Sequence, residues 1–253
     1  MLFRFASYKT AAAAALVLSS WAAQAEGQGP HWTYQGHHGA PERWAGLDPA
    51  FETCAKGLKQ SPIDIRNTVR TALAPLEFGY TRAAPVIVNN GHTVQVNLPA
   101  GQTLKIGEQT YELLQFHFHT PSEETIAGKH AAMVAHFVHR NAAGELGVVG
   151  VLLEHGKKHA AFDAIFSRLP RPGETIAVEG LTLDLAALLP ADKGYYAYDG
   201  SLTTPPCSQG VRWMVLKTPV KLGVDQIKAF RRLFSANARP LQPLNGRIVR
   251  ESL

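Results

Sequence analysis

Residues 115–139 read QFHFHTPSEETIAGKHAAMVAHFVH and hold five of the chain's eleven histidines. Alternating apolar and polar positions mark two strands here, broken by the turn signal Thr120-Pro121. In a strand, side chains two residues apart share a face. His117 and His119 therefore point one way and Phe118 the other. The residues between His119 and His136 suffice to turn and return as a neighbouring strand. On that strand Val134, His136 and Val138 share one face, and Ala135, Phe137 and His139 the other. Three imidazoles, His117, His119 and His136, can then converge on one point. Neutral nitrogen donors suit zinc, and three protein ligands leave a fourth position open, the mark of a catalytic site. Zinc lowers the pKa of a bound water from 15.7 to about 7.

A pair of histidines on a solvated face is the ordinary alternative for His-x-His, and the third histidine on an alternating strand weighs against it. A second alternative is the first metal motif of cupins, which His117-x-His119-x-x-x-Glu123 resembles. Glu123 would then be a direct ligand to iron or manganese. The Pro-x-Gly turn expected in the later half of that motif is missing before His136, and most of the chain stays unexplained.

Outward from the histidines, short apolar or alternating runs end at turn signals. Val86-Ile87-Val88 stops at Asn89-Asn90-Gly91, residues 92–98 at Pro99, residues 103–106 at Gly107, and residues 148–153 near Gly156. Helical pattern is scarcer. Residues 160–169, 181–188 and 224–234 are the candidates, the last with Asp225 near its start and Arg231-Arg232 near its end, as the helix dipole prefers. Residues 27–62 read as an irregular arm with a short helix or turns. Strands dominate and no linker appears, so the expectation is a single, mostly β domain with a few peripheral helices.

Residues 1–25 read as a signal peptide. Arg4 and Lys9 precede the apolar run Ala11 to Trp21, and Ala23-Gln24-Ala25 supplies the small-x-small cleavage pattern. The run is too short for a comfortable membrane span. The expected mature chain is residues 26–253, exported to a periplasm or secreted, with no stable membrane insertion after cleavage. The formal net charge of +5 includes those two leader bases. The remaining bases are scattered, which argues against a nucleic-acid partner. Cys54 and Cys207 are the only cysteines, and an even count in an exported chain favours a disulfide. Closing so long a loop is worth roughly 5 kcal/mol in the chain-entropy model.

The ordered motifs HWTYQG (31–36), GAPERW (39–44), QSPIDI (60–65), NNGHTVQV (89–96), QFHFH (115–119), PSEET (121–125), AHFVH (135–139), GSLTTPPC (200–207), VRWMVLK (211–217) and RPLQPLNGR (239–247) resemble those of alpha-class carbonic anhydrases of the bacterial, exported type. The resemblance spans roughly residues 31–253. It implies a large, twisted, mainly antiparallel (mixed) central sheet with a few peripheral helices. It implies reversible hydration of carbon dioxide to bicarbonate and a proton, by attack of zinc-bound hydroxide, with one Zn2+ per chain in a monomer or homodimer. Activated esters are a plausible side substrate. His117, His119 and His136 match the zinc ligands. Thr203 matches the threonine that accepts from zinc hydroxide, and Glu123 its partner. An ionised glutamate can only accept, so Thr203 must donate to it and is left with acceptor capacity. His92 matches the proton shuttle, and an imidazole with a pKa near 6.5 can relay protons at neutral pH. Val138, Val148, Leu202, Val211 and Trp213 match the apolar wall for carbon dioxide, with Thr204 beside them. Gln115 matches the partner of the first ligand, and Tyr34, Asn90 and Gln95 the polar positions that hold the intervening waters. Gln95 stands where the family often has Asn. Cys54 and Cys207 match the disulfide of bacterial members, and their bridge would brace the loop carrying Thr203.

One position departs. Most of the family has Glu, accepting from the third ligand's free nitrogen, where this chain has Val134. Valine cannot accept, so His136 must find a water, a carbonyl or another side chain. An unsatisfied buried donor costs about 1–3 kcal/mol. The expectation is that Val134→Glu tightens zinc binding. The same gap keeps open a non-catalytic zinc-binding or ligand-binding module on this fold. Glu124, at a position often held by histidine in animal members, is assigned no role.

Overall fold

A computed structural model of the chain describes residues 31–253. The signal peptide read at residues 1–25 lies outside the described residues. Strands dominate, and most of them join one sheet of thirteen. Its main path uses β1 (Val69–Thr71), β2 (Val86–Asn89), β3 (Val94–Asn97), β4 (Gln109–His119), β5 (Met133–Asn141), β6 (Leu146–Gly156), β7 (Thr175–Ala177), β8 (Tyr195–Ser201), β9 (Gln209–Leu216) and β10 (Arg250–Ser252). Across the sheet the order is β7-β2-β3-β4-β5-β6-β9-β8-β10-β1. Pairing is antiparallel except between β6 and β9 and between β10 and β1, while the strand Val220–Gly223 also joins β6 in parallel. The expected mixed, mainly antiparallel sheet is therefore present.

The long strands β4, β5 and β6 form the middle of the sheet, and their alternation sorts side chains onto two faces. Phe116, Phe118, Ala135, Phe137, Val149 and Val151 enter the larger core on one side. Val134, Val138, Val148, Leu152, Val211 and Trp213 form a second, smaller core on the other. Fully burying a side chain of Val or Phe size stabilises by about 1.5–3 kcal/mol, so a register slip of one residue would invert both cores. Phe116 and Phe137 stack behind the histidine strands with ring centroids 4.8 Å apart.

Two helices pack at the periphery, α1 (Ala160–Phe166) and α2 (Val224–Arg231). Gln226 reaches back to accept from the Gly223 backbone N–H at 3.0 Å, which starts α2. At its other end Arg231 donates to the Thr120 hydroxyl at 3.1 Å. This ties the helix to the turn after His119.

The helix expected over residues 181–188 does not form. Leu183–Asp184 pairs as a strand with Arg82–Ala83, and only a 3-10 turn follows at Ala186–Leu188. Leu183, Leu185 and Leu188 are all buried. Their apolar spacing is used for core packing from a strand and a turn. The arm before residue 63 is a set of short helical turns, including Trp44–Leu47 and Thr53–Lys56. Cys54 on the second of these is bridged to Cys207 across a sequence separation of 153.

Candidate metal centre

The ladder between β4 and β5 sets His136 opposite His117 and Val134 opposite His119. Among the described residues, His117, His119 and His136 form the one group of this kind able to hold a metal ion, each offering one ligand atom within 4.8 Å of the others. Their ring centroids are 4.8–5.6 Å apart.

Each imidazole has one nitrogen tied down and one left over. His117 Nδ1 is 2.9 Å from Gln115 Oε1. His119 Nδ1 is 2.7 Å from the Asn237 carbonyl. His136 Nε2 is 3.2 Å from Glu124 Oε2. A ring nitrogen facing an oxygen acceptor carries the hydrogen, so the free lone pairs fall on Nε2, Nε2 and Nδ1. His119 Nε2 is buried with no hydrogen-bond partner among the described residues. An orphaned buried nitrogen in a histidine triad fits a metal ion, and three imidazoles with an open position fit zinc. Burial, and after it the neighbouring histidines, push the His117 pKa down to about 3 and that of His119 well below the usual value. Both are therefore neutral, as ligands must be. At His136 burial acts downward too, but Glu124 and Glu123 outweigh it and raise the pKa.

Glu123 is fully buried. Its Oε1 accepts from the Arg239 backbone N–H at 2.8 Å. Burial raises its pKa to about 7, against the pull of His136, the Arg239 N–H and the Thr203 hydroxyl. Thr203 is buried beside this carboxylate, close enough for its hydroxyl to be among the groups that lower the Glu123 pKa, while Glu123 Oε2 has no hydrogen-bond partner among the described residues.

Arg239 is buried, and its guanidinium donates to Gln60 Oε1, the Ser61 carbonyl and the Cys54 carbonyl at 2.8–2.9 Å. Cys207 N–H donates to the Thr204 carbonyl at 2.8 Å. The disulfide, Arg239 and the Thr203-Thr204 loop thus form one connected block.

Above the histidines opens a cavity of about 1010 Å³ lined by His117, His119, Tyr34, Asn90, His92, Gln95, Gln115 and Thr204, among others. His92 stacks on Trp32, with centroids 3.7 Å apart and planes 8° from parallel, and His31 lies 6.3 Å away. Burial, then His31, lower its pKa. The polar positions are less free than the sequence suggested. Asn90 Oδ1 accepts from the His92 and Thr93 N–H groups at 3.0 and 2.9 Å, and Gln95 Nε2 donates to Asn97 at 2.7 Å. Val138, Val148, Val211 and Trp213 cluster on the histidine face of the sheet with Leu202 packed against them, and they do not line that cavity. The Trp213 ring stands edge-on to His136 at 4.8 Å.

The family model for eukaryotic-type carbonic anhydrases matches residues 39–253. The chain belongs to the alpha carbonic anhydrase family. A carbonic anhydrase of Klebsiella pneumoniae is 44% identical over 224 residues, covering 87% of this chain and 91% of its own. The alpha-carbonic anhydrase of Photobacterium profundum shares the fold with a TM-score of 0.83 at 43% identity, covering 87% of this chain and 100% of its own. That of Thermovibrio ammonificans, solved with the inhibitor sulfanilamide, gives a TM-score of 0.85 at 42% identity, covering 88% and 100%. Membership makes this carbonic anhydrase an enzyme acting on a small-molecule substrate, and alpha carbonic anhydrases are zinc enzymes. Among the described residues no helix is long and apolar enough to cross a membrane.

Three contributors escaped the sequence reading. The Asn237 carbonyl carries no side-chain signature. Arg239 lies inside the motif RPLQPLNGR but signals nothing about Glu123. Glu124 stood out in the sequence only as the residue at a position often held by histidine in animal members, with no role assigned. The acceptor for His136 is therefore present, and the premise for tightening the site with Val134→Glu is removed.

Proposed function

We propose that this chain hydrates carbon dioxide reversibly to bicarbonate and a proton at a Zn2+ held by His117 Nε2, His119 Nε2 and His136 Nδ1. The observation that carries the reading is the convergence of three imidazoles, each with one nitrogen hydrogen-bonded and one free. When bound, zinc supplies a water acidified to a pKa of about 7.

The chain's own groups supply the rest. Glu123 accepts from the Thr203 hydroxyl, which leaves only acceptor capacity on Thr203, so that it selects and orients an O–H donor. Val138, Val148, Leu202, Val211 and Trp213, packed together on the histidine face beside the cavity rather than in its lining, supply the apolar contact for an uncharged gas next to His136, and Thr204, which does line the cavity, borders the substrate. Gln115 fixes the tautomer of His117. His92 takes the released proton and passes it to buffer. Its lowered pKa keeps it neutral, and so able to accept, at pH 7. Tyr34, Asn90 and Gln95 hold waters on that route with the atoms their own hydrogen bonds leave free. Residues 26–253 act as one domain in a periplasm or outside the cell, as a monomer or homodimer. The apolar leader and the disulfide support export.

Stopped-flow hydration of carbon dioxide on protein stripped with a chelator and then reloaded tests this. Turnover that disappears on stripping and returns with one zinc per chain is expected. Full zinc occupancy without turnover would instead favour a binding module. Recovery with iron or manganese but not with zinc would favour the cupin-like alternative.

A further inference from the structure

We propose that Glu124 is the positioning residue for His136, supplying from a turn the acceptor that Val134 does not supply from the strand. This rests on the zinc reading above.

His136 and Glu124 are both buried, at 1% and 0% exposure. Nε2 of the histidine lies 3.2 Å from Glu124 Oε2, while Nδ1 lies 3.8 Å from Glu123 Oε2, beyond hydrogen-bond distance. A carboxylate only accepts, so the hydrogen sits on Nε2 and the lone pair on Nδ1. Glu124 therefore fixes both the tautomer and the ring orientation. Val134, on the same face two residues before His136, is fully buried and has no acceptor.

The three histidines are set by the same device in three chemistries. Gln115 offers an amide oxygen and Asn237 a backbone carbonyl. Glu124 alone offers a carboxylate, which makes its imidazole the more basic ligand. The carboxylate has no other evident task. Among the described residues His136 is its side chain's one hydrogen-bond partner, and Oε1 is buried with none. Burying a carboxylate with one partner is costly. A cation on the far side of the imidazole offsets that cost. Position is fixed by the turn: the Ser122 hydroxyl donates to the Glu124 carbonyl at 2.7 Å, and Thr125 pairs in register with Asp64.

The test compares wild type, Glu124→Gln and Glu124→Leu by chelator competition for zinc, with thermal midpoints of the metal-free proteins as the folding control. Leucine removes the acceptor, and about 10–100-fold weaker zinc binding is expected. Glutamine keeps an acceptor oxygen and loses the charge, so its affinity falls between the two. The visible spectrum of its cobalt-loaded form should also differ from that of wild type. Should the leucine variant not fold, the glutamine variant decides alone. Zinc affinity equal to wild type in a folded leucine variant would overturn the proposal, and so would affinity and spectrum both equal to wild type in a folded glutamine variant. Failure of the wild type itself to bind zinc would overturn the proposed function instead.

Discussion

Valine at position 134 looks like damage to a metal site until Glu124 is seen beside His136. The sequence places His117, His119 and His136 together because strand alternation is a local rule. It does not place Glu124, because that residue arrives from a turn, and no spacing rule says which strand residue a turn side chain meets. The Asn237 carbonyl behind His119 was hidden for a similar reason, since a backbone oxygen has no letter of its own. Two outcomes follow at this scale. Val134→Glu should not tighten zinc binding, because Nε2 of His136 is already engaged. It would add a third carboxylate to a buried pocket holding Glu123 and Glu124, and calorimetry should show the thermal midpoint lowered by several degrees. His92→Ala should lower kcat by about 100-fold, within the usual range for general acid–base groups. Its kcat/KM should change little, and imidazole buffer should restore turnover, all readable by stopped flow.

The strands were legible as elements wherever alternation and turn residues agreed, as in β4, β5 and β6. The segment 181–188 misled because leucines at helical spacing can equally fill a core from a short strand and a 3-10 turn. Pairing of Leu183–Asp184 with Arg82–Ala83 decides between them, and that is a tertiary fact. β5 also carries His139 on its far face, and this residue makes a pH prediction. Tyr80 hydroxyl donates to its Nε2 at 2.6 Å, and Nδ1 donates to the Gly147 carbonyl at 3.2 Å. Burial holds its pKa down to about 4. The unfolded chain binds a proton at this residue near pH 6.5 while the folded chain does not. Its contribution is therefore complete above pH 6.5 and is lost as pH falls toward 4, on the order of 3 kcal/mol in all. In urea titrations of metal-free protein, His139→Phe should flatten the loss of stability between pH 6.5 and 4.

Across the whole molecule, one bridge and one arginine join distant parts of the chain. Cys54 lies in the N-terminal arm and Cys207 just past Thr203-Thr204, so the disulfide closes most of the chain into a loop. Replacing both cysteines with alanine should cost up to roughly 5 kcal/mol of stability, read as a lower urea midpoint. It should also slow turnover, because the Thr203 loop loses its brace. The pairing was legible from the count of cysteines, whereas the role of Arg239 in tying Cys54, Ser61 and Glu123 together required the fold. The sheet class was legible too, though the parallel pairing of β6 with β9 was not, since the strands that meet there are far apart in sequence.

Zinc binding by His117 Nε2, His119 Nε2 and His136 Nδ1, with both glutamates outside the coordination sphere, is what the proposed chemistry depends on. The decisive experiment is a crystal structure of zinc-loaded protein with anomalous data on either side of the zinc edge. One anomalous peak bonded to those three nitrogens is expected, with Glu124 still against Nε2 of His136. A peak bonded to a carboxylate of Glu123 or Glu124, or to Nε2 of His136, would contradict it.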